Sequence, residues 1–90
     1  MEFQVASTRF ELHRDGHIAF IDYRLHDGIV DLIHTEVPEQ LRGGGVGSEL
    51  VRSALDWIRD NGYRARVGCP FVAAYIQRHP ECADLAVQRH

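Results

Sequence analysis

Within the first 37 residues of the chain, polar and apolar residues alternate in two short runs, and a third run rich in β-branched residues follows them. The runs cover residues 9–13, 17–25 and 29–37. Alternation with a period of two is typical of β-strands that bury one face. Asp15-Gly16 and Asp27-Gly28 separate the runs and favour tight hairpin turns. Pro38, which has no backbone N–H, ends the third run. The pattern therefore predicts a three-strand antiparallel meander.

The spacing of apolar residues changes to a helical period after Ser48. Five apolar residues share one face of the predicted helix: Leu50, Val51, Ala54, Leu55 and Ile58. Asn61-Gly62 is a good stop signal, so we expect an amphipathic helix of about four turns.

The segment after this helix predicts one more strand and one more helix. Residues 63–69 alternate again, and the order strand, helix, strand favours a right-handed crossover with parallel pairing to the third strand. Pro70 suits the first turn of a helix over residues 71–79, which Pro80 stops. The expected fold class is α/β with a mixed sheet: the meander, a helix, a parallel strand and a second helix, in a single domain over residues 1–90.

The composition is that of a soluble globular protein, with 44% hydrophobic and 26% charged residues. A net charge of −3 does not favour nucleic acid or an anionic membrane as a partner. The sequence has no apolar run long enough for a membrane span and no signal-peptide pattern, so we expect a cytoplasmic protein. Cys69 and Cys82 are then expected as reduced thiols. We expect no metal, and a monomer or weak homodimer.

Four glycines lie within residues 43–47, directly before the predicted helix. Either they form a turn of left-handed residues, or they let a ligand approach the backbone. A strand, a glycine-rich turn and a helix N-terminus together direct several N–H groups at one point, which favours a phosphate. Arg42 adds a guanidinium beside that point. A Walker A loop is excluded because the chain has no lysine, and the dinucleotide motif GxGxxG is incomplete.

The segment QLRGGGVG, residues 40–47, resembles the Q/R-x-x-G-x-G/A acetyl-CoA loop of the GNAT superfamily of N-acetyltransferases, with Arg42, Gly45 and Gly47 at its defining positions. DLIHTEVP before the loop and CPFVAAYIQRHPE after it are similar to stand-alone minimal GNAT-like domain proteins. The resemblance covers about residues 10–81. It implies a truncated GNAT fold without the N-terminal helix pair and the C-terminal strands of larger members.

The same resemblance implies acetyl-CoA as cosubstrate and an unidentified amine as acceptor. The loop would hold the pyrophosphate with Arg42, Gly43, Gly44, Gly45, Val46 and Gly47. The pantetheine arm would lie like an extra strand along Ile33, Thr35 and Val37, where Pro38 leaves backbone groups free. An amide near Thr35 or Val37 could polarise the thioester carbonyl.

Three residues are candidates for catalysis. His34 shares a strand face with Glu36 and is a possible general base, because histidine titrates near neutral pH; both residues could instead be plain exposed polar groups. Cys69, at the end of the crossover strand, matches a candidate nucleophile or proton donor of the minimal family, or is a small buried residue. Tyr75 matches the tyrosine that protonates the departing thiolate in larger GNAT enzymes, or packs in the core.

The expected function is an acetyl-CoA-dependent N-acetyltransferase in which the amine attacks the thioester directly, or in two steps through an acetylated Cys69. The alternative is a non-catalytic acyl-CoA-binding or protein-interaction module. A plain structural domain, with the glycines serving only as a turn, is a third possibility.

Overall fold

A five-stranded mixed sheet with helices packed on one face forms the fold in the computed structural model, which describes residues 3–87. The strands are β1 (Phe3–Val5), β2 (Arg9–Arg14), β3 (His17–His26), β4 (Ile29–Glu36) and β5 (Arg64–Val67). The α-helices are α1 (Val46–Asp60) and α2 (Pro70–Arg78), and 3-10 segments cover Glu39–Leu41 and Pro80–Leu85. The strands lie in chain order across the sheet.

The predicted topology is confirmed. Strands β2, β3 and β4 form an antiparallel meander, and α1 carries the chain over to β5, which pairs parallel to β4. Asp15 and Asp27 adopt left-handed conformations at the two hairpin turns, with φ of 53°. α1 begins at Val46, two residues before the predicted start. The predicted strand count was too low: β1 pairs antiparallel with β2, and its three residues are too few to carry an alternation signal.

The hydrophobic core lies between one sheet face and the helices. All five residues of the predicted α1 stripe are buried, with exposures of 0 to 1%. Phe10 stacks on Tyr23 with ring centroids 4.2 Å apart and meets the edge of Trp57 at 5.4 Å. The Tyr23 hydroxyl donates a 2.7 Å hydrogen bond to the Ala6 carbonyl, so its polar end is satisfied. Within residues 3–87, no helix is long and apolar enough to cross a membrane.

A β-bulge at Ile33 changes which side chains of β4 face the helices. Leu32 pairs with Tyr23, whereas His34 pairs with Asp22, so Ile33 has no partner on β3. Directly opposite residues share a face of the sheet. Upstream of the bulge, Leu32 therefore lies on the helix face with Tyr23.

Downstream of the bulge, the odd-numbered residues of β4 lie on the helix face. Thr35 is opposite the fully buried Ile21, whereas His34 and Glu36 lie on the other face, which no helix of residues 3–87 covers. We call that side of the sheet the bare face. The prediction that His34 and Glu36 lie on one face of the strand and Thr35 on the other is confirmed.

Strands β4 and β5 stop pairing before β4 ends. Their last pair is Leu32 with Val67, and the amide of Gly68 donates a 3.0 Å hydrogen bond to the Leu32 carbonyl. Beyond Leu32, β4 continues to Glu36 with β3 as its neighbour in the sheet. Among the described residues, no strand pairs with the β5 side of the last part of β4, so this edge is open before the glycine loop.

Candidate functional site

The glycine loop contains two residues in the left-handed conformation. Gly43 has φ of 86°, and Gly45, the N-cap of α1, has φ of 78°. A Cβ atom added at either position would meet nothing within 4 Å. These two glycines are therefore required by backbone conformation and not by crowding. Gly44 has an ordinary φ and lies near the Leu41 carbonyl.

Gly47 is required for a different reason, which is close packing. It lies in the first turn of α1, where an added Cβ would come within 3.1 Å of Cε1 of Phe71 and closer still to Cζ. The ring of Phe71, from the first turn of α2, therefore rests directly on the backbone of α1. This contact links the two helices at the mouth of the site.

Backbone donors without an acceptor in residues 3–87 lie at the start of α1. The first intrahelical hydrogen bond is the 3.0 Å contact from the amide of Glu49 to the carbonyl of Gly45. The amides of Val46, Gly47 and Ser48 precede it, and first-turn amides have no intrahelical acceptor. Together with the helix dipole, they form an environment that attracts an anion.

A cavity of about 430 Å³ opens between this helix terminus and the end of β4. Its lining residues are Thr35, Glu36, Val37, Leu41, Arg42, Gly43, Gly45, Val46, Gly47, Ser48 and Phe71. The fold thus brings together the loop and the strand segment that were predicted separately to bind a coenzyme. Of the predicted binding residues, Ile33 and Gly44 do not line this cavity.

Three lining residues were not predicted from the sequence: Leu41, Ser48 and Phe71. Leu41 is buried below the loop, whereas Phe71 is 41% exposed although it is large and apolar. The position of Phe71 in the sequence of α2 could have indicated that it lies near the site. It precedes Val72 of the buried stripe by one residue and so lies beside that stripe, next to the helix N-terminus.

A hydrogen bond from the side chain of Arg42 fixes this residue at the rim of the cavity. Its Nε donates a 3.1 Å hydrogen bond to the carbonyl of Val37. Within residues 3–87 its guanidinium has no carboxylate partner, so both terminal nitrogens can bind an anion. Arg42 thus places a positive charge beside the free amides of the loop.

Cys69 lies behind the wall of the cavity. It is the N-cap residue of α2 and is 5% exposed. Its Sγ is 3.1 Å from Oγ1 of Thr35, and Thr35 itself lines the cavity. The thiol is therefore one side chain away from the open space. Both Cys69 and Cys82 are free thiols.

His34 and Glu36 project from the bare face of the sheet. Nε2 of His34 lies 3.0 Å from Oε1 of Glu36, and the two side chains are 56% and 51% exposed. The ring of Phe20 lies beside that of His34, with centroids 6.4 Å apart. Glu36 also lines the cavity, whereas His34 does not.

Tyr75 lies on the buried side of α2 and stacks on His79, with ring centroids 4.1 Å apart. Burial, with a smaller contribution from Cys82, raises the pKa of the Tyr75 phenol, so it stays protonated at neutral pH. Its ring borders a second depression between α1 and α2 and not the 430 Å³ cavity. The described part of the chain holds no cluster of three or more potential metal ligands.

The sheet, the glycine loop at a helix start and the open strand edge define a GNAT-like fold. Residues 9–85 match the GCN5-related N-acetyl-transferase family, and the chain therefore belongs to that family. The family resemblance read from the sequence is confirmed.

The chain is also similar to proteins of known sequence, and a solved structure shares its fold. The chain is 40% identical to Protein NATD1 of Bos taurus and 38% identical to that of Homo sapiens, in each case over 52 residues, or 58% of this chain. Each match covers 46% of the relative, so the chain spans about half the length of these curated proteins. The solution structure of a GCN5-like protein from Staphylococcus aureus has a TM-score of 0.75, at 24% identity, over 99% of this chain and 90% of that chain.

Proposed function

We propose that this protein is an N-acetyltransferase that transfers the acetyl group of acetyl-CoA to an amine. The observation that carries the proposal is the single cavity lined both by the glycine loop and by the open end of β4. A long ligand with phosphates at one end and an amide-rich arm at the other fits such a cavity. Membership of the GCN5-related family supports the same cosubstrate.

In this proposal, the loop binds the pyrophosphate of coenzyme A. The amides of Val46, Gly47 and Ser48 donate to the phosphate oxygens, and the guanidinium of Arg42 neutralises part of their charge. Gly43 and Gly45 place the backbone against the ligand, with no side chain between them. Phe71 covers the ligand from the α2 side.

The open edge of β4 would bind the pantetheine arm. Backbone groups of Thr35 and Val37 that β5 does not pair can form strand-like hydrogen bonds with the arm. An amide of this segment, aimed at the thioester oxygen, would stabilise the negative charge that develops there. The acetyl group would then lie in the gap where β4 and β5 separate, open to the bare face.

The amine would approach from the bare face. Its nitrogen forms a bond to the acetyl carbon, the bond from that carbon to sulfur breaks, and the amine proton passes to His34. If Nε2 of His34 donates its proton to Glu36, then Nδ1 is the atom that accepts the proton. Glu36 would thus fix the tautomer of the base, as a carboxylate does for a paired histidine.

The departing thiolate needs a proton, which Cys69 or Tyr75 would supply. Cys69 is nearer to the proposed acetyl position, because its partner Thr35 lines the cavity. A two-step variant is also consistent with the geometry: the Cys69 sulfur first takes the acetyl group, coenzyme A leaves as the thiol, and the amine then attacks the acetyl-cysteine. An acetylated Cys69 detected by mass spectrometry before acceptor is added would identify this variant.

A non-catalytic acyl-CoA-binding module is the second candidate. It is favoured by the position of the three predicted catalytic side chains, His34, Cys69 and Tyr75. They surround the cavity, but none lines it. Such a module would need only the loop and the strand edge.

Thermal unfolding with and without acetyl-CoA tests the binding step. At about 100 times its Kd, a ligand adds about 2.7 kcal/mol to the stability of the folded state. In a domain of this size, we expect Tm to rise on the order of ten degrees. The double variant Arg42→Ala, Gly45→Val should lose most of this rise, whereas Arg24→Ala, an arginine on β3 outside the cavity, should keep it. A wild-type protein with no rise at millimolar acetyl-CoA would refute both candidate functions.

An acetylation assay with a panel of amines separates the two candidates. Release of the coenzyme A thiol is measured for the wild type, His34→Ala and Cys69→Ala. In an enzyme, the variants keep the acetyl-CoA-dependent rise in Tm but lose most of the thiol release. A binding module releases no thiol above background with any amine, in the wild type as in the variants.

A further inference from the structure

Thr35 connects a buried thiol with the open cavity. Its Oγ1 lies 3.1 Å from Sγ of Cys69, which is close enough for a hydrogen bond to sulfur. The thiol is 5% exposed and does not line the cavity, whereas Thr35 does. The shortest route for a proton between Cys69 and a ligand in the cavity therefore passes through the side chain of Thr35.

The position of Thr35 along the chain matches the reacting end of the proposed ligand. Residues 35–37 line the cavity, and Thr35 is the one of the three that lies furthest from the glycine loop. If the loop binds the pyrophosphate and the pantetheine arm runs back along β4, the thioester sulfur comes to lie beside Thr35. Its hydroxyl is then next to the atom from which the acetyl group departs.

A hydroxyl can pass a proton on because it accepts one hydrogen bond while it donates another. Within residues 3–87, Cys69 is the only hydrogen-bond partner of the Thr35 hydroxyl. A second hydrogen bond, to a ligand in the cavity, therefore remains available to this hydroxyl.

The start of α2 can stabilise the negative charge that such a transfer leaves on Cys69. Cys69 is the N-cap residue of this nine-residue helix. The first intrahelical hydrogen bond runs from the amide of Ala73 to the carbonyl of Cys69, at 3.1 Å. The amides of Phe71 and Val72 precede it, and first-turn amides have no intrahelical acceptor. A thiolate at this helix start is also favoured by the helix dipole.

We infer that Thr35 is a proton relay, whose hydroxyl donates its proton to the departing coenzyme A sulfur and takes up the proton of the Cys69 thiol. This inference rests on the proposed function. The bond between the acetyl carbon and sulfur breaks, coenzyme A leaves as the thiol, Thr35 ends unchanged and Cys69 ends as the thiolate. In direct transfer to an amine, water returns a proton to Cys69 after coenzyme A has left. In the two-step variant, the Cys69 sulfur bonds to the acetyl carbon while its proton takes the same route.

Thiol release from acetyl-CoA, with hydroxylamine as a small acceptor, tests the relay. Valine has the shape of threonine without the hydroxyl, so Thr35→Val should lower kcat about 100-fold, the lower end of what general-acid catalysis contributes. The KM for acetyl-CoA and the acetyl-CoA-dependent rise in Tm should stay as in the wild type. Thr35→Ser, which keeps a hydroxyl, should retain most of the rate. Thr35→Ala is a second test of the loss, and Thr8→Val, outside the coenzyme cavity, is the matched control.

A double variant shows whether Thr35 acts together with Cys69. Loss of either member interrupts the same relay, so Thr35→Val combined with Cys69→Ala should be about as slow as each single variant. Two independent contributions would instead multiply to a loss of about 10⁴-fold. Rate losses that multiply would overturn the inference.

Three other results would also overturn it. If Thr35→Val keeps the wild-type kcat, another group such as Tyr75 protonates the thiolate, although the proposed function stands. If Thr35→Val and Thr35→Ala lose the rise in Tm, Thr35 serves coenzyme binding and not proton transfer. If Thr35→Ser is as slow as Thr35→Val, the methyl group matters and not the hydroxyl. A wild type that releases no thiol above background, with hydroxylamine or any amine of the panel, refutes the proposed enzyme and the relay with it.

Discussion

Replacing Gly47 by alanine tests whether close packing of the two helices shapes the site. The added Cβ would lie within 3.1 Å of Cε1 of Phe71 and closer to Cζ, whereas comfortable carbon contacts are about 3.5–4.0 Å. The aromatic ring must therefore move by about 1 Å. Because Phe71 is 41% exposed and borders the cavity, the ring can move only by turning toward solvent or into the ligand space.

Two opposing effects set the change in stability for Gly47→Ala. Alanine in a helix is favoured over glycine by up to about 1 kcal/mol, and Gly47 has no left-handed φ that would oppose the substitution. Overpacking costs about 1–3 kcal/mol, and the lower end applies because Phe71 is 41% exposed and its side chain can shift. We expect the net change in unfolding free energy to stay within about 1 kcal/mol of zero. In a Phe71→Ala background the overpacking disappears, and Gly47→Ala should stabilise by about 0.5–1 kcal/mol.

Urea denaturation of the wild type, both single variants and the double variant measures this coupling. The expected interaction energy between the two positions is about 1–2 kcal/mol. Affinity for acetyl-CoA should fall about tenfold or more in Gly47→Ala, because the displaced ring fills space that the ligand needs. Additive stability changes, or a Gly47→Ala protein that binds acetyl-CoA as the wild type does, would refute the argument that Phe71 is the reason for this glycine.

Three further predictions concern stability. Gly45→Val should lower Tm more than Gly45→Asn does, because a branched residue at φ of 78° is strained and asparagine tolerates this region. Leu50→Ala should cost about 2–5 kcal/mol in urea denaturation, because the side chain is fully buried in α1. Burial raises the pKa of Cys82 and of Tyr75. The stability that these two groups contribute is therefore fully present below the pKa values of the unfolded chain, 9.0 for the thiol and 10.0 for the phenol. Unfolding free energies measured across that range should fall as pH rises, and less steeply in a Cys82→Ser, Tyr75→Phe variant.

Much of the fold could be predicted from the sequence, since the relevant signals are local. The meander followed from alternation and two Asp-Gly turns, and α1 followed from a stripe of five apolar residues that is wholly buried. β1 could not be predicted in this way. Phe3 is partly buried against the core, whereas Gln4 and Val5 are exposed, and pairing with β2 makes these three residues a strand.

The glycine loop illustrates how far sequence reasoning reached in the candidate site. A cluster of glycines admits a left-handed turn or a ligand, and the structure adds a third reason. Gly43 and Gly45 adopt the left-handed turn conformation. Position 47 requires glycine because Phe71 packs on its backbone. The third reason depends on a contact across 24 residues of sequence, from 47 to 71, so no local pattern could reveal it.

The bulge at Ile33 explains how one short strand can serve both the core and the site. Strict alternation from Leu32 would place His34 and Glu36 on the helix face, where two polar groups would lie against apolar side chains at a considerable cost. One unpaired residue reverses the order, so that Thr35 reaches Cys69 on the helix side while His34 and Glu36 stay on the bare face. The pairing of β4 with β5 stops at Leu32, directly before the bulge. The change of face and the open edge therefore begin at the same point of β4, so the segment that leaves the core is also the segment whose backbone is free to bind.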